Sequence, residues 1–332
     1  MKRLQSFFFS VALTLLSLPV SAQQGISVVT NFDDSVKQAY LKPEFVNAPT
    51  VIHLPVISNL SERSIPVVQV IIDGQPYRFG FDTGASSCFF NSGRLPEGLK
   101  DSVSSMGQIL THDGIAEVQG YFIMARNVDL GELRIKEIVM PAVQGMDMPT
   151  DLDGIIGLGL VYDYDIYINW SQNEIMLIDP ESTDSVLAGR HTLSTTVPIN
   201  TQREPAVAVV DTKIRGRLMK YTFRLTIDTG ASYCVVPGKA RPWFGFRKYD
   251  IKRTGLVDMS GDTSYGAARL RMDVGGVKYN MKVTLLKFPT DHKLSKDKDG
   301  VHGYGALGTN VLGDNPILLS TTNKKLILFG WY

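Results

Sequence analysis

Cysteine, histidine and surplus charge are all scarce in this chain of 332 residues, and each scarcity removes a class of function. The five histidines, His53, His112, His191, His292 and His302, are scattered. They form no His-Glu-x-x-His motif and meet no cysteine pair at ligand spacing, so no metal is expected. "DKDG" at 297–300 lacks the later ligands of a calcium loop. Neither "GASSC" nor "GASYC" is a Gly-x-Ser-x-Gly elbow, and no glycine-rich loop ends in Lys-Ser or Lys-Thr, which argues against a serine hydrolase and a phosphate-binding loop. The formal net charge is only +1 with no long basic stripe, which argues against a nucleic-acid partner. "KLSKDKDG" (293–300) mixes both signs and reads as a solvated loop.

Long apolar runs are equally rare. The one example, "FFFSVALTLLSLPV" at 7–20, follows Lys2 and Arg3 and precedes the small residues of "VSA". That is the layout of a cleavable signal peptide over residues 1–22, with an uncleaved anchor as the alternative. Cleavage takes the formal charge from +1 to −1, leaves no membrane span, and places the mature protein in a periplasm or outside the cell. No cysteine near the cleavage point offers a lipid anchor.

What the chain does contain is a repeat. Hydrophobic residues make up 44% and charged residues 20%, enough for a sizeable core. "FDTGASSCFF" (81–90) returns as "IDTGASYCVV" (227–236). Each copy is entered from a hairpin signal: "IPVVQVIIDGQPYRFGFD" with an Asp73-Gly74 turn, and "PAVAVVDTKIRGRLMKYTFRLTID" with a longer turn around Gly216. Each is followed by a second hairpin with a polar tip, "ILTHDGIAEV" and "LVDMSGDTSYG". Then come "DGIIGLGL" and "YGALGTNVL", which align Gly157 with Gly308, and finally the strand pairs "IYINWSQNEIMLID" and "PILLSTTNKKLILFG". Four stations in one order point to an all-β chain built from two equivalent halves. The first is assigned to 61–182 and the second to 183–332, with an N-terminal arm at 23–60 and a crossing in "ESTDSVLAGR".

These residues resemble the aspartic proteases of the pepsin and retroviral type, in which each half supplies one Asp-Thr-Gly and an apolar-apolar-Gly segment that packs behind it. The single-chain layout is similar to pepsin. Alanine after each Asp-Thr-Gly is similar to retroviral and bacterial retropepsin-like enzymes, since pepsins usually place serine or threonine there. The resemblance covers about residues 61–332 and implies a two-lobed fold with pseudo-two-fold symmetry. It also implies a peptide or protein substrate and a monomer needing no cofactor.

The chemistry explains why the phrase occurs twice. Peptide hydrolysis needs a base to take a proton from water and an acid to protonate the leaving group, and two carboxyls sharing one proton supply both. Carboxyls about 3 Å apart cannot both ionise, as is established for aspartic proteases as a class. The resemblance thus makes Asp82 and Asp228 the catalytic pair. Gly84 and Gly230 are expected to let the chain turn tightly and aim N–H groups at the carboxyls. Thr83 and Thr229 are expected, by resemblance, to bond across the axis. Ala85 and Ala231 withhold a hydroxyl from the carboxyls. His112, Asp113 and Gly114 form the candidate flap, although the tyrosine of pepsin flaps is missing there; a plain exposed turn is the alternative.

Other readings stay open at this level. The fold could serve a non-catalytic peptide- or glycan-binding protein, or a processing protease of narrow specificity. The arm could be a propeptide blocking the site through Lys37 or Lys42, an added edge strand, or a leader. Cys88 and Cys234 could pair, but strands diverging from the aspartates at about 3.3 Å per residue predict two buried free thiols. Cys88 reads as core rather than nucleophile, and Trp243 with Phe244 as core rather than a specificity pocket.

Overall fold

The computed structural model describes residues 27–29, 43–95, 99, 106–111, 114–143, 151–204, 206–244, 266–286 and 298–330. The expected signal peptide, Lys37 and Lys42, the tip residues His112 and Asp113, and the second polar tip around Gly261 and Tyr265 lie outside them.

Taken along the chain, the first half opens with three short strands, β1 (Ser27–Val29), β2 (Glu44–Phe45) and β3 (Val51–His53). There follow β4 (Val67–Ile72), β5 (Gln75–Asp82), β6 (Phe89–Asn91), β7 (Met106–Thr111), β8 (Gly114–Leu130), β9 (Leu133–Val143) and β10 (Gly154–Gly157). A one-turn helix α1 (Leu158–Val161), strands β11 (Asp165–Asn169) and β12 (Glu174–Ile178), and a second one-turn helix α2 (Thr183–Val186) complete it. The second half carries β13 (Ser194–Pro198), β14 (Asn200–Gln202), β15 (Val207–Arg215), β16 (Lys220–Ile227), β17 (Cys234–Pro237), β18 (Gly266–Val274) and β19 (Val277–Leu286). It closes with β20 (Tyr304–Leu307), helix α3 (Thr309–Leu312), β21 (Ile317–Ser320) and β22 (Lys325–Phe329).

The pairings build two closed rings. In the first half the order β8-β4-β5-β10-β6-β9 returns to β8, and in the second β15-β16-β20-β17-β19-β18 returns to β15. Each is a six-stranded barrel, which leaves no open edge within the ring. The hairpin signals correspond to real turns. Asp73 and Gly74 both have positive φ (48° and 80°) between Ile72 and Gln75, the geometry that lets a two-residue turn follow the strand twist. In β15 the residues alternate buried and exposed from Val210 to Arg215, so β-branched side chains fill the barrel while charged ones face solvent. The barrel interiors are aromatic and aliphatic: Phe79, Phe81 and Phe90 in the first, Phe223, Leu225 and Leu285 in the second.

Between the barrels runs a six-stranded sheet in the order β13-β22-β21-β11-β12-β3. Three of its strands come from each half, and the seam is the antiparallel pair β11–β21, with Ile166 opposite Leu319 and Ile168 opposite Ile317. Strand β3, within the N-terminal arm, pairs with β12 as β13 pairs with β22. The arm also sends β2 to the edge of β9 and β1 to the edge of β7. One face of the shared sheet joins the barrel core. On the other, Tyr167, Met176, Ile178, Leu318 and Phe329 form a second cluster packed by Val186 and Leu187, so the crossing segment caps this layer.

Trp243 and Phe244 belong to the core, with Trp243 stacked on Tyr221 at 4.6 Å. Both cysteines are buried free thiols, and burial pushes each up to about 12. At that value neither is a nucleophile near neutral pH.

Candidate active site

Each half delivers its aspartate in the same way. Strand β5 ends at Asp82, and β16 ends at Ile227 just before Asp228. Alongside each runs a short parallel strand, β10 beside β5 with Gly157 opposite Asp82, and β20 beside β16 with Leu307 opposite Ile227. The turns after the aspartates are braced by backbone bonds from the helices that follow. Leu158 N–H donates to Ala85 O and Thr309 N–H to Ala231 O, both at 2.8 Å. Gly157 and Gly308 make that approach possible. A Cβ on Gly157 would lie 2.3 Å from Ser87 O, and one on Gly308 would lie 2.6 Å from Ala231 O. The alignment of these two glycines in the repeat is therefore a spatial equivalence.

The halves are locked together at the threonines. Thr83 Oγ1 donates to Ile227 O and Thr229 Oγ1 to Phe81 O, each at 2.7 Å. In return, Thr83 N–H donates to Thr229 Oγ1 at 3.0 Å and Thr229 N–H to Thr83 Oγ1 at 3.2 Å. Both threonines are almost wholly buried. Each hydroxyl thus donates once and accepts once across the axis, and the two-fold relation is written in four bonds.

That lock brings the carboxyls into contact. Asp82 and Asp228 are hydrogen-bonded to each other, and both are half-buried. Gly84 and Gly230 owe their identity to this contact. A Cβ on Gly84 would lie 2.5 Å from the Asp228 carboxyl carbon, and one on Gly230 the same distance from that of Asp82. Neither glycine has a positive φ. Gly84 sits in the turn after Asp82 and aims its N–H at that carboxyl, and what excludes a side chain at both glycines is the opposite carboxylate.

Backbone N–H groups reach both acids. Asp82 accepts from Gly84 N–H at 2.8 Å and also from the N–H groups of Ala85 and Gly230. Asp228 accepts from Ala231 N–H at 2.9 Å and from Gly230 N–H. Burial raises both carboxyls, and Asp228 goes well above the usual range because the Asp82 charge adds to burial. Two like carboxyls in contact cannot both ionise, so one proton is shared between them. Such a pair titrates as a unit.

Gly114, of the flap candidates, begins β8 and pairs with Thr111 of the antiparallel β7. Among the described residues no group of His, Cys, Asp and Glu is placed to hold a metal ion, and no helix is long and apolar enough to cross a membrane.

Sequence reasoning missed the outer supports. Asn310 of α3 receives Cys234 N–H at 2.8 Å and donates to Lys282 O at 2.7 Å, tying the second turn to β19. Cys88 Sγ accepts Gly157 N–H at 3.4 Å, and Cys234 accepts from Gly308 in the same way. The matched offset of the cysteines in the repeat was the available signal for this brace. Arg63, ahead of the first barrel, pairs with Asp314 beyond α3 at 2.7 Å; a single arginine carries no such mark.

Two six-stranded barrels sharing a sheet, with equivalent turns meeting on the axis between them, define the two-lobed, pepsin-like all-β fold. Residues 68–160, which span β4 to α1 and include Asp82 and Gly157, match the family model described as aspartyl protease. That match supports a hydrolase of the aspartic protease kind with a peptide substrate. No curated protein matches the chain.

Proposed function

We propose that this protein is an aspartic endopeptidase in which Asp82 and Asp228 share one proton and activate a water molecule against a peptide carbonyl. The carrying observation is the dyad itself: two hydrogen-bonded carboxyls, both raised by burial, held by symmetric threonine bonds. Asp82, the ionised member of the pair in this reading, takes the proton of the attacking water. Asp228, already protonated, hydrogen-bonds the carbonyl oxygen as it becomes tetrahedral, and the proton gathered at the pair passes to the leaving nitrogen. Both aspartates come from one chain, so a monomer suffices. Residues 1–22 act as a cleaved export signal, and the protein works in a periplasm or outside the cell. The β7–β8 hairpin closes over the substrate, with His112, Asp113 and Gly114 as the candidate contact residues.

The test is cleavage of a diverse peptide library by the purified mature chain across acidic to neutral pH, read by mass spectrometry, beside Asp82→Asn and Asp228→Asn. The expected outcome is internal cleavage that falls about 10³-fold or more in each variant. A folded wild type that only binds peptides, or cleavage that survives either substitution, overturns the reading.

A further inference from the structure

The hairpin that leads into Asp228 ends in an exposed apolar tip. Leu218 is 88% exposed and Met219 58%, adjacent at the apex of the β15–β16 connection. Lys213, Arg215, Arg217 and Lys220 surround them, all exposed. Lys213 and Arg215 project from the outward face of β15, Lys220 lies opposite Arg215 across the hairpin, and exposed Arg271 continues the positive face on neighbouring β18. Among the described residues none of Lys213, Arg215, Arg217 and Lys220 takes part in an ion pair. The acids on this side are engaged elsewhere, Asp211 with Arg224 at 2.9 Å and Asp273 with Lys278 at 2.6 Å.

The tip is also firmly mounted. Gly216 N–H donates to Met219 O and Arg217 N–H to Trp243 O, both at 2.9 Å, while Trp243 stacks on Tyr221 at the base of the hairpin. Gly216 leaves room for that ring, since a Cβ there would lie 2.3 Å from Tyr221. Two long apolar side chains are therefore held out in water by an ordered scaffold, ringed by cations that form no ion pair among the described residues. The nearby acid Asp273, which feels the Lys220 charge, is already paired with Lys278.

We propose that this tip docks the protein on an anionic phospholipid surface. Leu218 and Met219 enter the boundary between headgroups and acyl chains, and the four cations contact lipid phosphates. The shape favours lipid over an acidic protein: the apex projects outward from the hairpin, and a bilayer interface deforms around an inserted side chain where a folded partner needs a preformed cavity. Nucleic acid fits less well, because the apex offers no aromatic ring for base stacking. Strand β16 has eight residues, so at about 3.3 Å per residue Asp228 stands roughly 25 Å from the apex. If the protease reading holds, docking brings membrane-proximal polypeptide within reach of the dyad; the docking itself does not depend on that reading.

Sedimentation with vesicles tests it, using the full mature chain. Phosphatidylcholine vesicles should leave the protein in solution, and vesicles containing about 30% phosphatidylglycerol should carry it down, less so as salt rises. Replacing Leu218 and Met219 together by serine, or Arg215 and Arg217 together by glutamate, should each weaken partitioning about 10-fold or more without moving the melting temperature. Absence of sedimentation, or sedimentation unchanged in both variants, overturns the proposal. So does binding that the serine pair leaves intact and soluble heparin competes away, which would identify a general polyanion surface.

Discussion

The proton shared by Asp82 and Asp228 has consequences for stability as well as chemistry, because burial raises both carboxyls. A carboxyl raised on folding stabilises the folded state below its unfolded value, and that contribution is lost as pH rises through the folded value. Above that point the pair is a liability. Asp228→Asn, isosteric and uncharged, should therefore melt about 2–4 °C higher than wild type near pH 7 and about the same near pH 3. Equal melting temperatures at both pH values would show that the buried charge carries no penalty. The alanines bear on the working pH. With no hydroxyl at 85 or 231 to favour the charged form, the activity profile should peak above about pH 3. Ala231→Ser, which adds one such donor beside Asp228, should move the profile toward acid; a profile that does not move would mean the new hydroxyl bonds elsewhere.

At the scale of elements, the threonine lock decides whether two loops become one site. Thr83→Val keeps the shape but removes the donor to Ile227 O and the acceptor of Thr229 N–H, leaving two buried backbone groups unpaired. Such a loss amounts to about 3 kcal/mol. Denaturant unfolding should show it, with kcat falling alongside because the carboxyls are no longer held in register. Thr83→Ser, which retains the hydroxyl, should recover most of both. If Thr83→Val proves neutral in stability, the backbone has found other partners and the lock is ornamental. The hairpins beside the site were legible beforehand because short turn signals separate β-branched runs: Asp73-Gly74 and Gly216 fall where the turns are. Gly84 and Gly230 were legible as glycines but not as cavities, because the atom that fills the space beside each belongs to the other half of the chain.

The whole molecule is held by a sheet that neither half owns. Strands β11 and β21 pair along four residue positions, and one buried cluster runs from Ile52 through both barrels to Leu328. Two lobes connected only by a linker would melt independently. Lobes that share a sheet and a core should unfold together, so calorimetry should show one transition whose calorimetric and van't Hoff enthalpies agree. Two resolved transitions would mean that the seam is weaker than the barrels it joins.

The repeat alone determined that there are two equivalent halves, that Asp82 and Asp228 correspond, that Thr83 and Thr229 flank them, and that Gly157 and Gly308 serve matching roles. Periodicity and turn residues act within a few positions of each other, so they survive in the linear order. Which atoms meet across the axis was settled only by the tertiary structure: the contact between the two carboxyls, the space reserved beside each, the buttress from Asn310, and the strand that Val51–His53 adds to the common sheet. Those depend on contacts between residues far apart in the chain, and nothing in the local order of side chains records how two distant turns will face one another.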